Sequence, residues 1–284
     1  MKKTILTFTF IALCCSTISA LAQEAKFPPV PPAPTVAHRG FSAIAPENTL
    51  AAARKAIEIG AQGSEFDVYS TTDGLLYLNH DANLKRTTGY DCAAKAIDSK
   101  TLLTLDFGSW KGEEFKGEKV ATYDEALQLL KGTKTRPIIE IKENGFEDKI
   151  VEGIRKYDLV ETAIVIDFSA ARVQKIRELE PKVCVAWLCS FDVKKETPQS
   201  MAQKIIDTLK KCNTNVVDVQ YNAISPEFLK ILDEAGIEVM CWTVDNPADI
   251  ERLVNWGVKS ITTNRPDLVL EAQKKAAANN KTTK

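Results

Sequence analysis

Residues 136–189, RPIIEIKENGFEDKIVEGIRKYDLVETAIVIDFSAARVQKIRELEPKVCVAWLC, switch repeatedly between two apolar periods, and that switching decides the fold. The runs at 136–142, 162–168 and 183–189 are short and rich in Ile and Val, as buried strands are. Between them, 146–157 and 170–180 space their apolar residues at helical intervals. The rhythm continues outward, with strands near 35–38, 63–70, 216–221, 238–244 and 259–263. Helices are predicted near 47–59, 122–131, 198–211, 225–235, 247–256 and 266–277, and Thr122 with Glu125 forms a capping box at one start. Eight strands, each associated with a helix over about 250 residues, predict an α/β fold of the (β/α)8 TIM-barrel type. A doubly wound open sheet has the same alternation, since periodicity does not reveal closure.

The rhythm breaks between Ala82 and Lys119, where polar turns and the Gly-rich run Gly108–Gly117 replace any clean βα unit. We read this as a small insertion after the second strand, rising from the C-terminal face, where active sites of this fold lie. Its charged half, Lys111–Lys119, also reads as a plain solvated loop.

Lys2 and Lys3, the apolar run Ile5–Leu13 and the small-residue pattern Ala20-Leu21-Ala22 predict a secretory signal peptide over residues 1–22, cleaved before Gln23. The run falls short of the roughly 20 apolar residues that a membrane span needs. The implied address is across the inner membrane, in the periplasm. Lipidation at Cys14 or Cys15 is the alternative, although bulky Leu13 sits where a small residue is wanted. Five prolines among residues 23–34 (Pro28, Pro29, Pro31, Pro32, Pro34) predict an extended spacer, so the barrel domain is expected over 35–278.

Without the leader, Lys plus Arg falls from 37 to 35 against 38 acids, a formal charge of −3. No basic patch is evident, which argues against nucleic acid as a partner, while a small anionic ligand at a locally positive site stays compatible. The mature chain keeps five cysteines, an odd number that leaves at least one free thiol; the lack of a C-x-x-C pair argues against a structural zinc site, and a chain of about 260 residues can bury a core without a disulfide scaffold.

Only two histidines occur in the chain, His38 and His80. Each lies in a polar cluster: Ala37-His38-Arg39-Gly40 with Pro46-Glu47-Asn48-Thr49, and Leu78-Asn79-His80-Asp81. Between them Glu65 and Asp67 share one face of a strand by its period of two, as Glu140 and Lys142 do in theirs. An unpaired ionised carboxylate in the apolar run around Glu140 would be costly. Histidine titrates at about 6.5, so a pair can serve as acid and base near neutrality, and a guanidinium such as Arg39 matches phosphate geometry. These residue types fit metal-assisted hydrolysis of a phosphodiester.

Read in order, these segments resemble the glycerophosphodiester phosphodiesterase family, whose signature joins HRG, PENT, E-x-D and HD elements. The resemblance extends through Leu84-Lys85-Arg86-Thr87-Thr88, Asp106-Phe107-Gly108-Ser109-Trp110, Ile139-Glu140-Ile141-Lys142, Cys241-Trp242-Thr243-Val244 and Thr262-Thr263-Asn264-Arg265-Pro266, roughly residues 36 to 266. It implies His38 and His80 as the acid/base pair, and Glu65, Asp67 and Glu140 as ligands of one divalent cation, Mg²⁺ or Ca²⁺. It also implies Arg39 on the phosphate, and a small-molecule glycerophosphodiester as substrate. Lys142 reads as a second phosphate or carboxylate contact, Trp242 as an apolar wall for the glycerol carbons, and Asn48 and Asp81 as supporting residues. Glu47 reads either as support for the metal or histidine, or as a favoured acid in a helix first turn. Phe107 and Trp110 are candidates for shaping the alcohol pocket. One departure stands out: the family's Thr-Asp pair is Thr263-Asn264 here, which keeps hydrogen-bonding shape and loses charge. A phospholipase of the same barrel type would want an exposed apolar rim, which no stretch advertises, and a silent binding barrel would not require paired proton carriers.

Overall fold

The computed structural model describes residues 27–282; the leader at 1–22 and the first four residues of the spacer lie outside them. Its strands are β1 (Thr35–Ala37), β2 (Gly63–Ser70), β3 (Leu76–Leu78), β4 (Arg136–Ile141), β5 (Ile164–Asp167), β6 (Cys184–Cys189), β7 (Val216–Gln220), β8 (Glu238–Trp242) and β9 (Ser260–Thr263). All except β3 pair in parallel, in the order β1-β9-β8-β7-β6-β5-β4-β2, and a further β1–β2 pairing closes the ring. The result is an eight-stranded (β/α)8 barrel, not an open sheet. Antiparallel β3 folds back on β2 and was missed in the sequence, because three residues carry too little period to read.

The helices are α1 (Leu50–Ile59), α2 (Lys85–Thr88), α3 (Ser99–Leu102), α4 (Tyr123–Leu130), α5 (Glu147–Lys156), α6 (Ala170–Leu179), α7 (Pro198–Cys212), α8 (Pro226–Glu234), α9 (Pro247–Asn255) and α10 (Pro266–Thr282). Side-chain oxygens cap α1, α4, α6, α7, α8 and α9 from Thr49, Thr122, Ser169, Thr197, Ser225 and Asn246. Each such cap contributes about 1 kcal/mol and fixes where the preceding loop must end. Helix and outer-strand residues such as Leu127, Ile139, Ile150 and Val165 pack into the layer between ring and barrel.

Inside the barrel, Val36, Ile138, Ile164, Cys184, Val216 and Met240 fill the lower part. Ala33 packs with them, Pro31 is buried, and the carbonyls of Pro32, Ala33 and Pro34 accept from Arg136, Ser260 and Ile261. The end of the proline-rich segment is therefore part of the barrel floor, which corrects its reading as spacer throughout. Segment 82–119 also has more structure than expected. Tyr69, Tyr77, Leu84, Ala94, Ile97, Leu102, Phe107 and Val120 form a core of their own. Phe107 is fully committed to that core, which removes it from the alcohol pocket. The five cysteines are free thiols, four of them buried.

Candidate active site

Above the apolar floor the inward-facing residues turn polar. A cavity of about 130 Å³ is lined by His38, Arg39, Glu65, His80, Glu140 and Lys142, with Ile166, Phe168, Leu188, Asp218, Trp242, Thr243 and Thr262 completing it. Glu65 and Asp67 pair in register with Ile138 and Glu140, so the two-residue period sets all three carboxylates side by side. One oxygen from each lies within 4.8 Å of the other two.

The His38-Arg39-Gly40 turn brings the β1 end to this group. Gly40 sits at φ +77°, and a Cβ there would meet the Ala52 backbone at 2.6 Å, so glycine is required. Arg39 also holds positive φ, at 54°, and its backbone N–H donates to Glu65 Oε2 at 2.8 Å. Its guanidinium donates to Glu47 Oε1 at 2.7 Å, while Nε lies 3.5 Å from Asp67 and has no hydrogen bond. Asn48, at φ 56°, clasps Asp67 twice: its amide donates to Oδ2 and its carbonyl accepts from the Asp67 N–H.

Glu47 precedes the Thr49 cap and lies outside α1, which corrects its first-turn reading. Instead it joins Arg39 to Arg86, which donates to both of its oxygens and, through Nε, to Asp81 at 2.6 Å. Asp81 in turn accepts from His80 Nδ1 at 2.9 Å. The chain His80–Asp81–Arg86–Glu47–Arg39 thus ties the insertion to the β1 turn. Arg86 lies within the Leu84–Thr88 motif, and its contact with Glu47, 39 residues away, has no local signal. Trp110 stacks under Arg86, 5.5 Å from its ring centroid, and is not among the cavity-lining residues.

His38 Nδ1 lies 2.7 Å from Asn264 Oδ1. The amide orientation follows from two further partners: Asn264 Nδ2 donates to a carboxylate oxygen, Asp245 Oδ2, at 2.6 Å, and Asn264 Oδ1 lies 2.7 Å from the Ser42 hydroxyl. The carbonyl must then face His38, so Nδ1 carries the proton and Nε2 keeps its lone pair. Burial, then the Arg39 charge, brings the imidazole down to about 4, so it is neutral at physiological pH. Asp245, three residues beyond Trp242, escaped the sequence reading because its partner is distant in the chain.

Burial and the neighbouring Asp67 and Glu140 push Glu65 well above the usual carboxylate range, and burial and Asp67 raise Glu140 to about 7. Asp67 goes the other way: burial opposes its charge, but Lys142 and Arg39 outweigh burial and hold it low. Lys142 contacts Glu140 Oε1 at 2.7 Å and Asp67 Oδ1 at 3.3 Å. Burial opposes the Lys142 charge, but the facing carboxylates of Asp67 and Glu140 outweigh it and raise its pKa. Glu65 Oε1 and Asp67 Oδ1 are buried without hydrogen bonds. Clustered hard oxygens with unfilled valence fit a divalent cation of the Mg²⁺ or Ca²⁺ type.

Trp242 forms one wall, its ring 5.5 Å from that of Phe168 in an edge-on pair. Its indole N–H donates to the Asp218 carbonyl at 3.2 Å.

Comparisons with known proteins agree with this geometry. Residues 38–268 match the model of the glycerophosphoryl diester phosphodiesterase family. A glycerophosphodiester phosphodiesterase of Caldanaerobacter subterraneus subsp. tengcongensis is 31% identical over 247 residues, covering 84% of this chain and 97% of that one. One from Bacillus subtilis is 30% identical over 260 residues, covering 84% and 86%. Among solved structures, the glycerophosphodiester phosphodiesterase of Agrobacterium tumefaciens is 28% identical with a TM-score of 0.70, covering 83% of this chain and 98% of that one. An Oleispira antarctica phosphodiesterase, solved with the product sn-glycerol 3-phosphate, has the same fold at 24% identity and TM-score 0.76, covering 85% and 96%. The chain belongs to the glycerophosphoryl diester phosphodiesterase family and is a phosphoric diester hydrolase.

Proposed function

We propose that the protein hydrolyses glycerophosphodiesters, the deacylated forms of phospholipids, to sn-glycerol 3-phosphate and an alcohol. The observation that carries this reading is the convergence of both histidines, Arg39 and the carboxylate cluster on one small cavity. The product held by the Oleispira antarctica homologue supports the substrate class.

Glu65, Asp67 and Glu140 would hold Mg²⁺ or Ca²⁺, which supplies fixed positive charge against the charge that builds on the non-bridging oxygens. Arg39 adds a guanidinium on the same side. His38, neutral and with Nε2 unprotonated, takes the proton from the attacking hydroxyl. His80, oriented through Nδ1 by Asp81, delivers a proton to the departing alkoxide. With a glycerol hydroxyl as nucleophile, a cyclic phosphate forms first and water opens it; equal cleavage of a diester lacking the neighbouring hydroxyl, with no cyclic species detected, would remove that step. The test of the function is release of sn-glycerol 3-phosphate from glycerophosphocholine, glycerophosphoethanolamine and glycerophosphoinositol, with and without chelator.

The leader at residues 1–22 supports a periplasmic address, and mass spectrometry of the exported protein should then find Gln23 at its N-terminus.

A second reading, action on lipids that keep an acyl chain, is favoured by one observation. Ile44, Tyr90, Leu103, Trp110, Phe168 and Val193 are exposed, and all lie on connections leaving the C-terminal side of the barrel strands. The sequence shows no apolar stretch of this kind, and these side chains are scattered over several connections. Faster turnover of lysophosphatidylethanolamine than of glycerophosphoethanolamine would favour this second reading.

A further inference from the structure

Two polar side chains in the cavity have no partner and no part in the chemistry above. Asp218 on β7 is 1% exposed, and neither carboxylate oxygen makes a hydrogen bond. Thr262 on β9 is 3% exposed, and its Oγ1 is likewise unpaired. Buried polar groups are almost always hydrogen-bonded in native proteins, and three such atoms on two residues that line one cavity call for an explanation. Register places Asp218 beside Leu188 and Met240, both apolar and inward-facing, so a valine or leucine at 218 would suit the fold better. The remaining unpaired atoms, on Arg39, Glu65 and Asp67, belong to the phosphate and cation side of the site.

We propose that Asp218 and Thr262 form a hydroxyl-binding subsite that receives the vicinal diol of the glycerol moiety. The inference rests on the function proposed above and names the residues that read the polyol. A carboxyl and a threonine hydroxyl together offer both acceptors and donors, which is what two adjacent alcohol groups require. Apolar Ile166, Leu188 and Trp242 beside them suit the carbon backbone. Burial, and then the charge of Glu140, push the Asp218 carboxyl well upward, which favours the neutral acid and a neutral ligand over an ammonium headgroup. Position agrees: this subsite is buried, whereas Phe168, which lines the same cavity, is half exposed and leaves that side open for a variable alcohol.

The test compares sn-glycerol 3-phosphate with n-propyl phosphate, which has the same carbon chain and phosphate and no hydroxyls, by calorimetry on the full mature protein with its cation. Wild type should bind the glycerol compound at least about tenfold tighter, since two hydrogen bonds at stake correspond to roughly 5- to 150-fold. Asp218→Val should abolish most of that preference while holding n-propyl phosphate within about threefold, and Thr262→Val should show a smaller loss of the same kind. Asp218→Val should also melt no lower than wild type, since an unsatisfied buried group is removed. Should it not fold, Thr262→Val and Asp218→Asn carry the comparison. Equal weakening of both ligands, or of neither, overturns the proposal. So does a loss of turnover in Asp218→Val confined to choline and ethanolamine headgroups and absent with glycerophosphoinositol, which would make Asp218 a cation reader. A wild-type protein that shows the binding preference but cleaves no diester would sink the hydrolase reading and leave the subsite standing.

Discussion

The carboxylate cluster gives a stability signature that is independent of turnover. At separations within 4.8 Å and an effective dielectric near 20, each ionised pair repels by about 3.5 kcal/mol. Lys142 and Arg39 offset part of this, and Glu140 is left with a pKa of about 7 against an ordinary 4.5. The folded chain therefore binds this proton more tightly than the unfolded chain. Its stabilising contribution is fully present below pH 4.5 and is lost as pH rises through 7, amounting to about 3 kcal/mol. His38 works in the opposite sense, its depressed pKa removing stability as pH falls below 6.5, so the melting curve of wild type alone would mix the two. Glu140→Gln separates them, because His38 is common to both proteins. With metal removed, the stability of wild type relative to Glu140→Gln should fall by about 3 kcal/mol between pH 5 and 8, or roughly 6–12 °C in relative Tm. Mg²⁺ or Ca²⁺ should restore wild type at pH 8 and not the variant, with a Kd about tenfold tighter or more at pH 8 than at pH 6, because the cation displaces the Glu140 proton. A relative Tm that stays flat with pH, or no response of wild type to millimolar concentrations of either ion, would refute the cluster as a cation site.

Further outcomes follow from the same geometry. His38→Ala and His80→Ala should each lower kcat by at least roughly 100-fold, the usual scale of proton-transfer catalysis, with product binding little changed in calorimetry. Asp245→Ala frees the Asn264 amide to flip. In ¹⁵N-histidine spectra, with only two histidines to assign, the His38 Nδ1–H form should give way to a mixture of tautomers as kcat drops at unchanged KM; an unaltered spectrum would break the proposed relay. Arg86→Ala should loosen Glu47 and Asp81 together and lower kcat/KM more than either Glu47→Gln or Asp81→Asn does alone. Thr122→Ala should cost about 1 kcal/mol, read as a fall of about 2–4 °C in Tm without change in kcat.

Much of the molecule was legible because its signals are local. Period-two spacing placed Glu65 with Asp67 and Glu140 with Lys142, and the alternation of apolar periods gave every barrel strand and its helix. What escaped is contact between positions far apart in sequence. Asp245 reaches His38 only through Asn264, and Arg86 joins Glu47 across 39 residues. Asp218 looks like an ordinary strand acid until its lack of a partner is seen in three dimensions. Glu47 was misread by three residues at a helix start, where a left-handed Asn48 postpones the cap to Thr49. Pro31 and Ala33 read as spacer because composition does not reveal that a barrel floor lies beneath them.

The most direct measurement is phosphorus NMR of the purified mature protein with glycerophosphoethanolamine, Mg²⁺ or Ca²⁺, and then excess chelator. The account predicts conversion of the diester signal into that of sn-glycerol 3-phosphate, halted by chelation and reduced at least roughly 100-fold in His38→Ala. A diester signal that persists with either ion present, or cleavage that continues unchanged without any ion, would contradict it.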